Sequence, residues 1–165
     1  MLIGKMVGKK VLLIDFDPQG NLSTFAGLDK DAPGIYEAIA GIKEIKDVIQ
    51  KTIFSISDQE NTKIMTGELF EVNGDELRVI SLDGHRISIR KVKLKESYEP
   101  MKVIVPGKTL NEMTKILNGG AEDEITIYIT DKHILFEFDQ TKVVSRLLEG
   151  EFYKIDQMLT NDYET

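Results

Sequence analysis

ELFEVNGDELRVISLDGHRISIRK, Glu68 to Lys91, decides the fold class. It consists of segments with strand character, joined by turns at Asn73-Gly74-Asp75 and at Asp83-Gly84. Asn-Gly and Asp-Gly between strand-like runs are strong short-range hairpin signals. Strands are therefore expected over Thr66 to Val72, Glu76 to Leu82 and His85 to Val92. Downstream, Lys102 to Val105 reads as a further strand stopped by Pro106-Gly107. A helix follows over about Thr109 to Asn118, with Leu110, Met113 and Leu117 on one face and Glu112 and Lys115 on the other. Gly119-Gly120 is placed to cap it. Ile125, Ile127 and Ile129 alternate with polar residues, as do Ile134, Phe136 and Phe138, and Val143 to Leu148 is a further strand. Upstream, Ile42, Ile45, Ile49, Ile53 and Ile56 fall at helical spacing and predict a helix from roughly 43 to 57. From residue 42 the order is helix, three strands, strand, helix, three strands. Two similar halves of one helix and antiparallel strands indicate an α+β fold without βαβ crossovers.

The first forty residues have another texture. Lys9 to Asp15 (KKVLLID) is an unbroken apolar run bounded by charges, which suits a strand buried on both faces. Pro18 and Gly20 end it, Ser23 to Leu28 suits a short helix, and Asp29 to Gly34 is a second break.

The length of 165 residues fits one domain, or one domain plus a fragment. No run approaches the roughly 18 apolar residues of a membrane span, and Val11 to Ile14 is too short for a signal-peptide core. Without cysteine there is no disulfide framework, no thiolate zinc site and no cysteine nucleophile. The two histidines, His85 and His133, are too few and too far apart in sequence for a histidine metal site. A soluble cytoplasmic protein without metal or cofactor is expected. The net charge of −7 and pI near 4.9 exclude a uniformly basic nucleic-acid binder. The distribution is uneven, however: Arg86 to Lys115 holds 8 basic and 3 acidic residues, a local +5.

Asp15 and Asp17, at the end of a buried-type strand, suit either a hydrated Mg²⁺ in phosphoryl transfer or a turn rich in turn formers. KKVLLIDFDPQGNLST resembles the second conserved motif of the partition-type ParA/Soj ATPases, and the resemblance covers about residues 5 to 41. Asp15 and Asp17 match that family's Mg²⁺-associated and catalytic acids. The family's phosphate-binding loop has no counterpart in MLIGKMVGKK, so ATP hydrolysis is not expected.

ELFEVNGDELRVISLDGHRISIRK, VIVPGKTLNEMTKIL and VVSRLLEGEFYKIDQML together resemble the middle domain of the bacterial replicative sliding clamp, the DNA polymerase III beta subunit, from about Lys46 to Thr165. The resemblance implies a clamp domain of two βαβββ-like halves, with antiparallel sheets outside and two helices lining a ring. It implies no catalysis: the family is a processivity factor that tethers polymerase to duplex DNA, three domains per subunit in a dimer. Its groove for short peptides of polymerases and clamp loaders maps onto Met65, Leu82, Gly84, His85, Arg86, Ile87, Tyr153, Gln157 and Met158. Met and Leu would supply a deformable apolar floor, and His85 and Arg86 a polar rim. Tyr153 stands where a proline is usual and Gln157 where a basic residue is frequent; the groove's second wall belongs to the family's third domain, which would follow Thr165. Sequence-independent phosphate contact maps onto Lys43, Lys46, Gln50 and Lys51 of the first helix and Lys108 and Lys115 of the second.

These observations divide the chain into a ParA-like fragment, 1–41, and a clamp-type domain, 42–165, joined around residues 36 to 46. Lys10 to Asp15 is expected to replace the strand that precedes the first clamp helix, at the edge of the first sheet. The leading function is a DNA-replication processivity domain, with oligomerisation implied. The alternatives are a remnant partition-type nucleotide binder and a folded chimera without retained activity.

Overall fold

A computed structural model describes the backbone of Leu2–Met6, Lys9–Asp15 and residues 34–159 apart from Ala121, with side chains from residue 34 onward except Glu60 and Ala121. In chain order the elements are β1 (Leu2–Met6), β2 (Lys9–Asp15), β3 (Tyr36–Gly41), α1 (Ile42–Gln50), β4 (Gly67–Leu82), β5 (Ile87–Pro106), α2 (Gly107–Ile116), β6 (Glu124–Ile129), β7 (His133–Phe138), β8 (Thr141–Arg146) and α3 (Ile155–Met158). One sheet runs β1-β2-β8-β7-β6-β3; β4 and β5 form the second. The main core gathers Ile45 and Ile49 of α1, Leu110 and Met113 of α2, Phe70 and Val79 of β4, and Ile125 and Phe136 of the first sheet. The Phe70 and Phe136 rings meet edge to face at 6.5 Å across it.

The strands expected between 66 and 105 run together into two long, bent strands. The register of β4 breaks between Val72, Gly74 and Glu76, and Gly74 takes φ +62, where a glycine is needed. Residues 67–72 pair with 101–106 of β5, and 76–82 with 87–93. Glu71 and Arg78 nonetheless touch, Nε to Oε2 2.6 Å, although seven extended residues span roughly 23 Å. The chain therefore doubles back at Asn73-Gly74-Asp75, where a turn is expected from the sequence.

The strand that leads into α1 is Tyr36–Gly41, not Lys10 to Asp15. It pairs antiparallel with β6, Ala38 opposite Ile127, and buries Ala38 and Ala40. Tyr36 ties it to the second sheet: its hydroxyl donates to the Glu99 carbonyl at 2.6 Å, while the Ile39 N–H donates to the Tyr98 hydroxyl at 3.0 Å. Burial, with Tyr98 and Glu99 alongside, pushes the Tyr36 phenol up to about 12. β2 instead lies parallel to β8, Ile14 opposite Val143, with β1 antiparallel outside it. The short helix expected over Ser23 to Leu28 lies outside the described residues.

Two helix ends differ from expectation. α1 stops at Gln50, where the Thr52 N–H donates to the Ile49 carbonyl (3.1 Å), its hydroxyl donates to the Val48 carbonyl (2.9 Å), and the chain tightens into a 3₁₀ turn, Ile53–Ser55. Helix α2 starts two residues early and ends at Ile116; Leu117 is extended and neither Gly119 nor Gly120 takes a positive φ, so the glycine cap is not used. Strand β8 starts at Thr141, two residues before its expected start, and Leu148 leaves it to bridge Ile104.

One buried group stands out. Glu68 of β4 is 0% exposed, and neither of its carboxyl oxygens has a hydrogen-bond partner among the described residues. Burial pushes its pKa up to about 8, opposed by the nearby Thr52 hydroxyl, whose own proton goes to Val48.

Candidate functional site

The turn between β4 and β5 is built on Asp83. Its Oδ1 accepts the backbone N–H of His85 and of Arg86, both at 2.9 Å, and its Oδ2 accepts Arg86 Nε (2.9 Å) and Nη2 (2.6 Å). An Asx turn of this kind lets an acidic side chain replace backbone bonds. The N–H of His85 and then the Arg86 guanidinium hold the Asp83 carboxyl down at about 2. Gly84 has φ +88 with open space where a Cβ would stand. His85 and Arg86 are exposed, and Arg86 lies folded over its own turn.

Leu82 and Ile87 pair across the base of this turn. With Met65 they join an apolar cluster whose other members include Ile80, Phe152 and Ile155. Residues 147–158 thus form a strap over the outer face of the second sheet, pinned by Phe152 and Ile155. Tyr153 and Met158 project from it, 42% and 49% exposed, beside exposed Gln157. Of the nine groove positions, Met65, Leu82 and Ile87 share one floor; Tyr153, Gln157 and Met158 sit on the strap that crosses it; Gly84, His85 and Arg86 stand at the turn. A cavity of about 830 Å³ lies between strap and sheet, lined by Leu69, Ile80, Ile104, Phe152 and Arg78 and shared by Tyr153 and Gln157. Arg78 and the strap's Asp156 close this side with a bidentate ion pair, Nη1–Oδ1 2.7 Å and Nη2–Oδ2 3.1 Å. Sequence reasoning missed Phe152, Ile155, Arg78 and Asp156. Phe152 and Ile155 carried a signal, apolar residues three apart with Glu151, Lys154 and Asp156 beside them; the ion pair carried none.

The helix lysines separate into different roles. Lys43 and Gln50 of α1 and Lys108 of α2 are exposed. Lys46 is half-buried and donates to the Leu117 carbonyl at 2.8 Å, closing the end of α2. Lys51 pairs with Asp47 (2.6 Å) and Lys115 with Glu112 (2.7 Å). Lys51, with Arg90 adding to it, holds the Asp47 carboxyl below its usual range. The local +5 of the sequence is neutralised in space. Arg86 pairs with Asp83, Arg90 with Asp47, Lys91 with Glu76, Lys93 with Asp75, Lys95 with Glu124, Lys102 with Glu71 and Lys115 with Glu112. Only Lys108 of the eight has no anionic partner among these pairs.

Asp15 ends β2 beside Val144, and Asp17 lies outside the described residues. Among the described residues no group of three or more His, Asp or Glu is placed to hold a metal ion, and no helix is long and apolar enough to cross a membrane.

Comparison with known proteins finds two family models and one set of relatives. A family model described as DNA polymerase III beta subunit, central domain, matches residues 41–154, and a model described as AAA domain matches residues 3–75. The chain is 30% identical to the beta sliding clamp of Staphylococcus epidermidis over 99% of its own length and 47% of that protein, so it spans about half the length of the curated relatives it matches. A crystal structure from Eubacterium rectale described as a DNA polymerase III beta subunit is 56% identical, with a TM-score of 0.75 over 78% of this chain and 35% of that one. The DNA polymerase sliding clamp of Bacillus subtilis is 31% identical, with a TM-score of 0.73 over 82% of this chain and 37% of that one. Two long bent strands, two helices and the Asp83–Arg86 turn over an apolar floor, together with a family match over more than two thirds of its residues, establish that the chain belongs to the DNA polymerase III beta subunit family, in its central domain.

Proposed function

We propose that this chain is a non-catalytic DNA-replication processivity domain that offers partner peptides a docking groove and faces duplex DNA with its helices. The observation that carries the reading is the convergence of Met65, Leu82 and Ile87 with Phe152 and Ile155 in one apolar cluster, rimmed by exposed His85, Tyr153, Gln157 and Met158. An apolar floor with a polar, exposed rim is the anatomy of a peptide-binding patch. The relatives' names, beta sliding clamp and DNA polymerase sliding clamp, point the same way. Assembly into a ring, with further clamp domains or further copies, belongs to this proposal, as does the division at about residue 41 between a ParA-like fragment and the clamp domain. Toward DNA the reading relies on Lys43 and Lys108 and on contacts to phosphates alone, which suit a sliding contact. Two titrations test it: a labelled peptide carrying the clamp-binding motif of a bacterial replicative polymerase should bind, and Ile87→Asp should abolish that binding while far-UV circular dichroism stays unchanged.

A nucleotide-binding reading is favoured by the AAA-domain match over residues 3–75. It predicts saturable Mg²⁺-ATP binding that Asp15→Ala removes. The processivity reading predicts none.

A further inference from the structure

The strap that carries Tyr153, Gln157 and Met158 has little to hold it in place. Its helix α3 has four residues and no side-chain cap, far below the length at which a helix is stable alone. Phe152 and Ile155 are the buried anchors of its second half, and a cavity of about 830 Å³ opens beside it against the sheet. The first residues of the strap are held by buried Leu147 and by Leu148, whose N–H donates to the Ile104 carbonyl at 2.9 Å; beyond them packing fixes Phe152 and Ile155 and leaves the tilt of α3 about these two open.

Arg78 supplies the further hold on α3. Its guanidinium donates Nη1 to Asp156 Oδ1 (2.7 Å) and Nη2 to Asp156 Oδ2 (3.1 Å), while Nε donates to Glu71 Oε2 (2.6 Å). Glu71 is itself paired with Lys102 on β5. The fork is thus anchored in the sheet at one side and grips α3 at the other. Isolated exposed ion pairs contribute little, but bidentate arginine–carboxylate pairs within a network are the exception. Arg78 is only 20% exposed against 71% for Asp156, so the sheet side is rigid and the strap side is what it restrains. A lysine carries the charge but cannot make the fork.

We infer that Arg78 is a positioning residue for the groove: by tying Asp156 of the strap to Glu71 of the sheet, it sets where Tyr153, Gln157 and Met158 stand and so how tightly a peptide is held. The inference rests on the groove reading above for its second half and on the strap geometry alone for its first.

The experiment uses the whole chain with Arg78→Lys, Asp156→Asn and the two combined. Amide exchange is followed at Ile155, Gln157 and Leu159, whose N–H groups donate to Tyr153, Lys154 and Ile155. In parallel, fluorescence anisotropy is measured with the labelled polymerase-motif peptide. Each single variant should speed exchange at these amides and weaken the peptide by about tenfold, with the global unfolding midpoint near that of the unmodified chain. The combined variant should be no worse than either alone, because one interaction is shared. Unchanged exchange and affinity in Arg78→Lys, or effects of the two substitutions that simply add, would overturn the inference. If the unmodified chain fails to bind the peptide, the groove reading and the affinity half of the inference fail together. The exchange rates then still decide whether Arg78 holds the strap.

Discussion

The ammonium of Lys46 lies 2.8 Å from the carbonyl oxygen of Leu117. A lysine on the polar side of α1 is therefore spent on the end of α2, satisfying a carbonyl that the helix leaves without an internal partner. Lys46→Met keeps the stem and removes the bond. It should lower stability by about 0.5–1.5 kcal/mol, read as a shifted denaturant midpoint with an unchanged slope.

Duplex affinity should follow the lysines that no carboxylate or carbonyl of the described residues engages. Lys43→Ala and Lys108→Ala should each weaken binding uniformly across sequences and reduce the salt slope by about one. Lys46→Met and Lys115→Ala should leave the slope nearly unchanged. Equal slopes in all four variants would show that the helix faces do not contact phosphate.

Glu68 makes stability depend on pH in a direction opposite to most carboxylates. Its folded pKa, pushed up to about 8 by burial, lies above the unfolded value, so between about pH 4.5 and 8 the folded chain binds the extra proton. Stability then falls as pH rises through that window and levels off above it. Glu68→Gln should flatten this slope and stabilise the chain by a few kcal/mol at pH 8, measured by urea denaturation at pH 5, 6.5 and 8. A slope that survives the substitution would assign it to another group.

Asp83 holds the turn that presents His85 and Arg86. Asp83→Ala removes four acceptor contacts and should loosen the turn without unfolding the sheet. The expected result is about tenfold weaker binding of the polymerase-motif peptide with a near-native circular dichroism spectrum. Asp83→Asn, which keeps the Asx turn and loses the charge, should fall between.

The fold class and the placement of the candidate-site residues on one floor, one turn and one strap were legible because local signals agreed with the fold. Gly74 and Gly84 mark turns that require a positive φ, and the isoleucine spacing of 42–49 shows the helix face. What was not legible depends on distant pairing. Tyr36–Gly41 carries two alanines and a glycine with little strand pattern, and its extended state comes from β6 and from the Tyr36 and Tyr98 hydroxyl bonds. At Thr52 the backbone N–H shifts to the Ile49 carbonyl, a tightening that the isoleucine periodicity hides. The basic excess of 86–115 disappears only when Asp47, Glu71, Asp75, Glu76 and Glu124 are brought beside it. Arg78 and Asp156, seventy-eight residues apart, have no local signature.

The groove is tested most directly by titrating the ¹⁵N-labelled chain with the unlabelled polymerase-motif peptide and following every backbone amide. The account predicts saturable shifts confined to Met65 and its neighbours and to residues 82–87 and 152–158, with the exposed face of α1 and α2 unmoved. No shift at saturating peptide, or shifts gathered on the helices instead, would contradict it.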